Sequence, residues 1–258
     1  MTQGTPVRRP TASLLFFLAA LLPAGNLEAD EIHVAVASNF IATMRVLAEH
    51  FGEQSGHSIV LLPGSTGKHY AQIMHGAPFD AFFAADAERP ALLEAEGRIR
   101  PGSRFTYAIG RLVLWSPDPG VVDRDGAVLE SGSFRRLAIA NPRLAPYGRA
   151  AQQVLESRGL RDALQSKLVR GENISQAFQF VASGNAELGF VALSQLMQTG
   201  REGEGSSWQV PEELYMPIEQ QAVLLSESTA ALALKSYMQS EAAHAIIRGF
   251  GYGIPDVQ

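Results

Sequence analysis

Short apolar runs recur along this chain, each stopping at glycine or small polar residues, and most lead directly into a segment whose apolar residues lie three or four apart. A run with period two followed by one with period 3.6 is a strand followed by a helix, and repeated alternation of the two dictates an open, largely parallel sheet flanked by helices. Ile32–Ala37 reads as the first strand, with Ile41, Met44, Ala48 and Phe51 on one face of the helix after it. Ile59–Leu62 is followed by the turn Pro63-Gly64-Ser65-Thr66-Gly67 and a helix around Tyr70, Ile73 and Met74. Ala81–Ala85 precedes a helix through Leu92, Leu93 and Ala95. After Gly110 a second series begins: strand Leu112–Trp115, strand Leu137–Ala140, helices over Gly148–Ser157 and Ile174–Val181, and strand Leu188–Ala192. From Gln221 the strand Ala222–Leu225 and a single amphipathic helix, Leu232–Phe250, close the chain. The expected architecture is α/β with two lobes, the first from residues 30–111 and 221–258 and the second from 112–220, so that the chain crosses between them twice.

The first 29 residues stand apart. Arg8 and Arg9 precede the nine-residue apolar run Leu14–Leu22, then come Pro23, Gly25 and Asn26, and the segment ends Leu27-Glu28-Ala29. This is the pattern of a secretory signal cleaved near Ala29. The run falls well short of the roughly 20 apolar residues that span a bilayer, and no later stretch approaches that length. The chain has no cysteine, which excludes disulfides, thiolate chemistry and the acceptor for a bacterial lipid anchor. A free monomer in the periplasm is the expectation. Removing Met1–Ala29 takes two of the 21 basic and one of the 26 acidic residues, leaving 19 against 25, a net charge of −6 that disfavours a nucleic-acid partner.

Four places where a helix begins share one composition: Ser38-Asn39, Ser65-Thr66-Gly67, Ala145-Pro146-Tyr147-Gly148 and Gly171-Glu172-Asn173-Ile174. A helix start presents N–H groups without intrahelical partners at the positive end of the helix dipole. In open α/β sheets ligands bind outside the carboxyl ends of the strands. Two such corners from each lobe, facing one another, would enclose a small anion held by neutral donors, with no cation required.

Several segments resemble one family. Val34–Phe40, Ile73–Asp86, Ala140–Gly148, Gly184–Ser194 and the ending Ala231–Gly253 are similar to the periplasmic molybdate-binding proteins of ABC importers, and the likeness covers nearly all of the chain after residue 29. The resemblance implies a type II periplasmic-binding-protein fold closing on one tetrahedral oxyanion, molybdate or tungstate, which is passed to an ABC permease. It implies no cofactor and no direct bond from protein to metal. It places ligand donors on Ser38, Asn39, Thr66, Tyr147 and the Ile174 backbone N–H, with Ser65 the neighbouring candidate if the register slips by one. The commonest enterobacterial pattern has a small residue where Tyr147 stands and a tyrosine where Ala192 stands, so a tyrosine hydroxyl is expected here from the opposite corner of the second lobe. Which of Ser38 and Asn39 contributes more stays open.

Other motifs carry less. Gly64-Ser65-Thr66-Gly67-Lys68 echoes a phosphate-binding loop, but Leu62 and His69 occupy positions that require glycine and Ser/Thr. The six histidines have no metal-ligand spacing, and no GxSxG elbow is present. Asp80 and Asp86 flank one strand and are expected to make capping or hinge hydrogen bonds, because a carboxylate beside an anion is repelled. Lys68 and Arg149 are expected to face solvent. A receptor for another oxyanion such as sulfate is the alternative, and an enzyme built on the same fold is the alternative from a different class.

Overall fold

The structure is a computed structural model in which residues 1–2, 4, 29–201 and 203–255 are described. The expected signal segment lies almost wholly outside them. In chain order the elements begin with β1 (Glu31–Ala37), α1 (Ile41–Ser55), β2 (Ser58–Gly64), α2 (Thr66–Met74), β3 (Ala81–Phe83), α3 (Glu88–Ala95) and β4 (Phe105–Gly110). Next come β5 (Leu112–Ser116), α4 (Val128–Ser131), β6 (Leu137–Ala140), α5 (Pro146–Ser157), α6 (Arg161–Leu164), β7 (Leu168–Gly171), α7 (Ile174–Ala182), β8 (Leu188–Ala192), α8 (Leu193–Thr199) and β9 (Ser206–Gln209). The chain closes with β10 (Ile218–Leu224), α9 (Thr229–Met238) and α10 (Glu241–Gly249).

Among the described residues the strands form two five-stranded mixed sheets, ordered β2-β1-β3-β10-β4 and β7-β6-β8-β5-β9. In the first sheet β1 is parallel to β2 and β3, and β10 is antiparallel to β3 and β4. In the second, β6 is parallel to β7 and β8, and β5 is antiparallel to β8 and β9. The registers are informative: Ala37 lies level with Gly64, and Ala140 with Gly171, so the two parallel strands at one side of each sheet end at the same height.

Both sheets are buried on both faces, as sheets covered by crossover helices are. Along β1, Val34 and Val36 pack with Met44 and Leu47 of α1, while the intervening Ala35 packs with Ile73 of α2 and Leu93 of α3. In the second sheet Leu137 and Ile139 pack with Ala151 and Val154 of α5, while Ala138 packs with Val181 of α7 and Leu196 of α8.

Two expectations are corrected. The return to the first sheet was expected at Gln221, but Ile218 already pairs with Gly110, so β10 starts three residues earlier and the second crossover is 210–217. The polar pair Gln220-Gln221 hid the strand, although Gln220 is fully buried. The closing helix is also two helices, since Ser240 stops being helical and accepts the Ala243 N–H through its hydroxyl at 3.2 Å, capping α10. The expectation for Ser240→Ala is a loss of about 1 kcal/mol in urea unfolding; an unchanged midpoint and slope would show that this cap contributes nothing.

Candidate functional site

All four helix starts meet in one small pocket. It is lined by Ala37, Ser38, Asn39, Gly64, Ser65, Thr66, Ala85, Ala145, Pro146, Tyr147, Asn173 and Ile174. Ser38, Asn39, Thr66, Tyr147 and Ile174 therefore lie together, and Ser65 lies with them. No lining residue is charged.

Each corner is fixed by its own packing. After β1 a 3-10 turn, Ser38–Phe40, leads into α1, anchored by the fully buried Phe40 ring against Tyr107 at 4.6 Å and Tyr252 at 5.3 Å between centroids. After β2, Ser65 is the extended residue before α2, but its hydroxyl does not cap the helix and is buried without a partner among the described residues. The Thr66 hydroxyl accepts the Ala85 N–H at 3.0 Å, which leaves its own proton free to donate. After β6, Pro146 opens α5 with Tyr147 in its first turn. Gly148 lies so close to the end of β6 that a Cβ there would be 2.2 Å from the Ala140 carbonyl oxygen. After β7, Asn173 caps α7 by accepting the Gln176 N–H at 3.0 Å, and the Ile174 N–H is left in the first turn.

The side chain of Asn39 is otherwise engaged. Its amide donates to Gln220 Oε1 at 2.7 Å and to the Tyr252 hydroxyl at 3.1 Å, so its two side-chain donors are used inside the protein and its backbone N–H is the group left for the pocket. The Tyr147 hydroxyl is fully buried without a partner among the described residues. Burial pushes its pKa, and that of Tyr107, well above the usual 10.0, and brings that of Tyr252 to about 12. All three therefore stay neutral donors across the physiological range. Ala192 contributes no side-chain donor, and its N–H donates to Gln195 Oε1 at 3.0 Å.

The charged residues near the corners bind one another. Asp86 accepts the Arg89 N–H at 3.1 Å and pairs with its guanidinium; burial nonetheless raises its pKa above the usual carboxylate value, with Arg89 opposing the shift. Asp80 accepts the His33 N–H at 2.8 Å. Lys68 reaches Glu172 at 3.2 Å, and Arg149 pairs with Glu88; both pairs run from the first lobe to the second. Being half exposed, such pairs contribute little stability but do mark where the lobes meet.

Neutral bonds close the same seam. Gly67 donates its N–H to the Leu144 carbonyl at 2.8 Å, the Ser175 hydroxyl to the Ser38 carbonyl at 3.1 Å, and the Ser194 hydroxyl to the Asn39 carbonyl at 3.3 Å. None of these was anticipated from sequence, because a serine that bridges lobes looks like any other serine.

Residues 32–253 match the family described as bacterial extracellular solute-binding protein. The chain is 51% identical over 244 residues to the molybdate-binding protein ModA of Azotobacter vinelandii, covering 93% of this chain and 97% of that protein. It is 46% identical over 256 residues to the molybdate-binding protein ModA of Rhodobacter capsulatus, covering 98% of this chain and 99% of that protein. The solved structure of the Azotobacter vinelandii periplasmic molybdate-binding protein superposes with a TM-score of 0.84 at 46% identity, over 87% of this chain and 100% of that one.

At Gly67 a Cβ would lie 3.1 Å from both Cα and O of Leu144, tighter than an ordinary contact. Gly67→Leu drives a side chain into the seam and is expected to hold the lobes apart, giving a larger radius of gyration by small-angle scattering than the unsubstituted protein. Superimposable scattering curves would contradict a tight seam at this glycine.

Proposed function

This chain belongs to the bacterial extracellular solute-binding proteins, and on that premise we propose that it captures molybdate in the periplasm and delivers it to an ABC permease. Tungstate, of the same shape and charge, is the second ligand. The protein acts as a monomeric receptor and not as an enzyme, with the anion as cargo. The observation that carries this reading is the uncharged pocket at which four helix starts from two lobes converge. High identity to two molybdate-binding proteins over nearly the whole chain supports the choice of anion.

The ligand set follows from which donors are free. The Ser38 hydroxyl, the Asn39 backbone N–H, the Ser65 and Thr66 hydroxyls, the Tyr147 N–H and hydroxyl, and the Ile174 N–H surround the anion. Each helix start places roughly half a positive charge at its end, so oriented dipoles oppose the dianion without a lysine or arginine. A neutral pocket has a further consequence, since hydrogen bonds to charged groups in a site closed to water are stronger than the same bonds in solution. The lobes separate to admit the anion and close to exclude water, with the crossovers at Arg111 and at 210–217 as hinges.

Fixed donors also set the size of the tetrahedron. Sulfate is smaller, and each charge-assisted bond it leaves stretched forfeits about 1.5–3 kcal/mol. Calorimetric titration is expected to give molybdate and tungstate affinities orders of magnitude above sulfate; equal affinity for sulfate would overturn the assignment.

Tyr147→Phe removes one hydroxyl and keeps the ring. It is expected to weaken molybdate binding by about 10- to 150-fold, with ligand-free thermal stability unchanged. A change within about twofold, inside the scatter of a neutral contact, would show that the hydroxyl does not reach the anion. The tyrosines near the pocket remain protonated below the usual 10.0 of a phenol, so the affinity is expected to stay level from about pH 7 to about pH 9. A fall of tenfold across that interval would place a titrating group in the site.

A further inference from the structure

We propose that Gln220, on β10 just after the second crossover, is a positioning residue that holds the Tyr147 hydroxyl in the orientation in which it donates to the bound oxyanion. The proposal rests on the oxyanion reading of the pocket. Gln220 is fully buried. Its Oε1 accepts from the Asn39 amide at 2.7 Å and from the Tyr107 hydroxyl at 3.2 Å. With the oxygen committed to those two donors, the amide nitrogen is the end turned the other way, and it is buried with no partner among the described residues. The Tyr147 hydroxyl is orphaned in the same way.

These two orphans are neighbours. A Cβ built on Gly110 would lie 2.3 Å from the Tyr147 hydroxyl oxygen and 3.0 Å from Gln220 Nε2, so both groups converge on the one position in β4 where only a hydrogen leaves room. Their capacities fit. An amide N–H can only donate, whereas a phenol oxygen accepts while its proton donates elsewhere. Once Gln220 donates to the Tyr147 oxygen, the phenolic proton is directed away from Gln220, and the pocket that Tyr147 lines is where an acceptor is needed. Local backbone geometry supports the aim: the β10–β4 ladder shifts register between Gln220 and Gln221, and an irregularity of this kind re-aims the side chains beside it. Gln220 thus links the Asn39 corner of the first lobe to the Tyr147 corner of the second through the strand that follows the second crossover.

The test is a double-mutant cycle on the full chain, read as the molybdate Kd by calorimetry. Gln220→Leu is expected to weaken binding roughly tenfold in the native background, and by less than about twofold when Tyr147→Phe is already present, because the group it positions is gone. Independent losses that multiply, or a Gln220→Leu affinity equal to the native one, would overturn the proposal.

Gln220→Glu keeps the shape and the acceptor for Asn39, and covers the case in which the leucine variant does not fold. Tyr107, Tyr147, Tyr215 and Tyr252, the tyrosines packed nearby, have pKa values raised by burial and remain neutral throughout. Asp86, whose charge acts on Tyr107 and which is paired with Arg89, is present in both proteins, so in the ratio the titration that differs is that of the new carboxyl, whose neutral form burial favours. Protonated, it can donate to Tyr147; ionised, it cannot, and it repels the anion. The loss relative to the unsubstituted protein is therefore expected to shrink as pH falls from about 8 to about 5, and part of that recovery to vanish with Tyr147→Phe. A ratio independent of pH, or a recovery of the same size without the Tyr147 hydroxyl, would overturn the role. Native protein that fails to bind molybdate would overturn the oxyanion reading as well; native binding with unaffected Gln220 variants would overturn only the positioning.

Discussion

A dianion taken out of water has to find a donor for each of its oxygens, because an isolated buried charge costs far more than the whole stability of a domain. That requirement organises this molecule. A lysine or arginine in the pocket would supply charge but would bind any anion of the right sign, and it would itself need desolvating. Backbone N–H groups at helix starts avoid both problems: they are unpaired by construction, they cannot move far, and they carry no net charge. Four helix starts can converge only if strands end level with one another, and the pairings of Ala37 with Gly64 and Ala140 with Gly171 bring that about in each lobe.

The two lobes are then needed for exclusion of water. Two of the four helix starts belong to each lobe, so they surround an anion only when the lobes approach, and beside the pocket the seam is made of small residues and backbone. Gly67 against Leu144, Ser175 against the Ser38 carbonyl and Ser194 against the Asn39 carbonyl leave no side chain large enough to prop the cleft open. These three bonds are neutral and the two ion pairs beside them are half exposed, which suits a contact that has to open again. Behind the pocket, the Tyr252 hydroxyl donates to the Asn39 carbonyl at 2.8 Å and approaches the Ser194 hydroxyl at 2.9 Å, so the C-terminal segment touches both sides of the seam.

Local chemistry explains how much of this was legible in the sequence. The strands that are buried on both faces, such as Val34–Ala37 and Leu188–Ala192, are near-continuous apolar runs and stand out. The edge strand β9, Ser206–Gln209, buries only Trp208 and carries no such signal, and the edge strand β7 has no residue fully buried until Gly171. The corners were readable because capping composition is local. What each side chain does there was not, because it depends on partners far along the chain. Asn39 looked like a side-chain donor, yet its amide is claimed by Gln220, 181 residues later, and by Tyr252, 213 residues later. Ser65 stood only as the neighbour of Thr66, and its hydroxyl neither caps the helix nor finds a partner among the described residues. Gln220-Gln221 was expected at the crossover between lobes, and the structure puts both inside a strand.

Neutral backbone donors from both lobes as the means of holding the anion can be tested directly by amide-resolved NMR of the uniformly labelled protein on addition of molybdate. The N–H resonances of Asn39, Tyr147 and Ile174 are expected to move downfield together and saturate at one equivalent, as new hydrogen bonds to a charged acceptor form, while the side-chain signals of Lys68 and Arg149 change little. Large shifts at those cationic side chains, with the three corner amides unmoved, would contradict capture by helix starts and place the anion elsewhere.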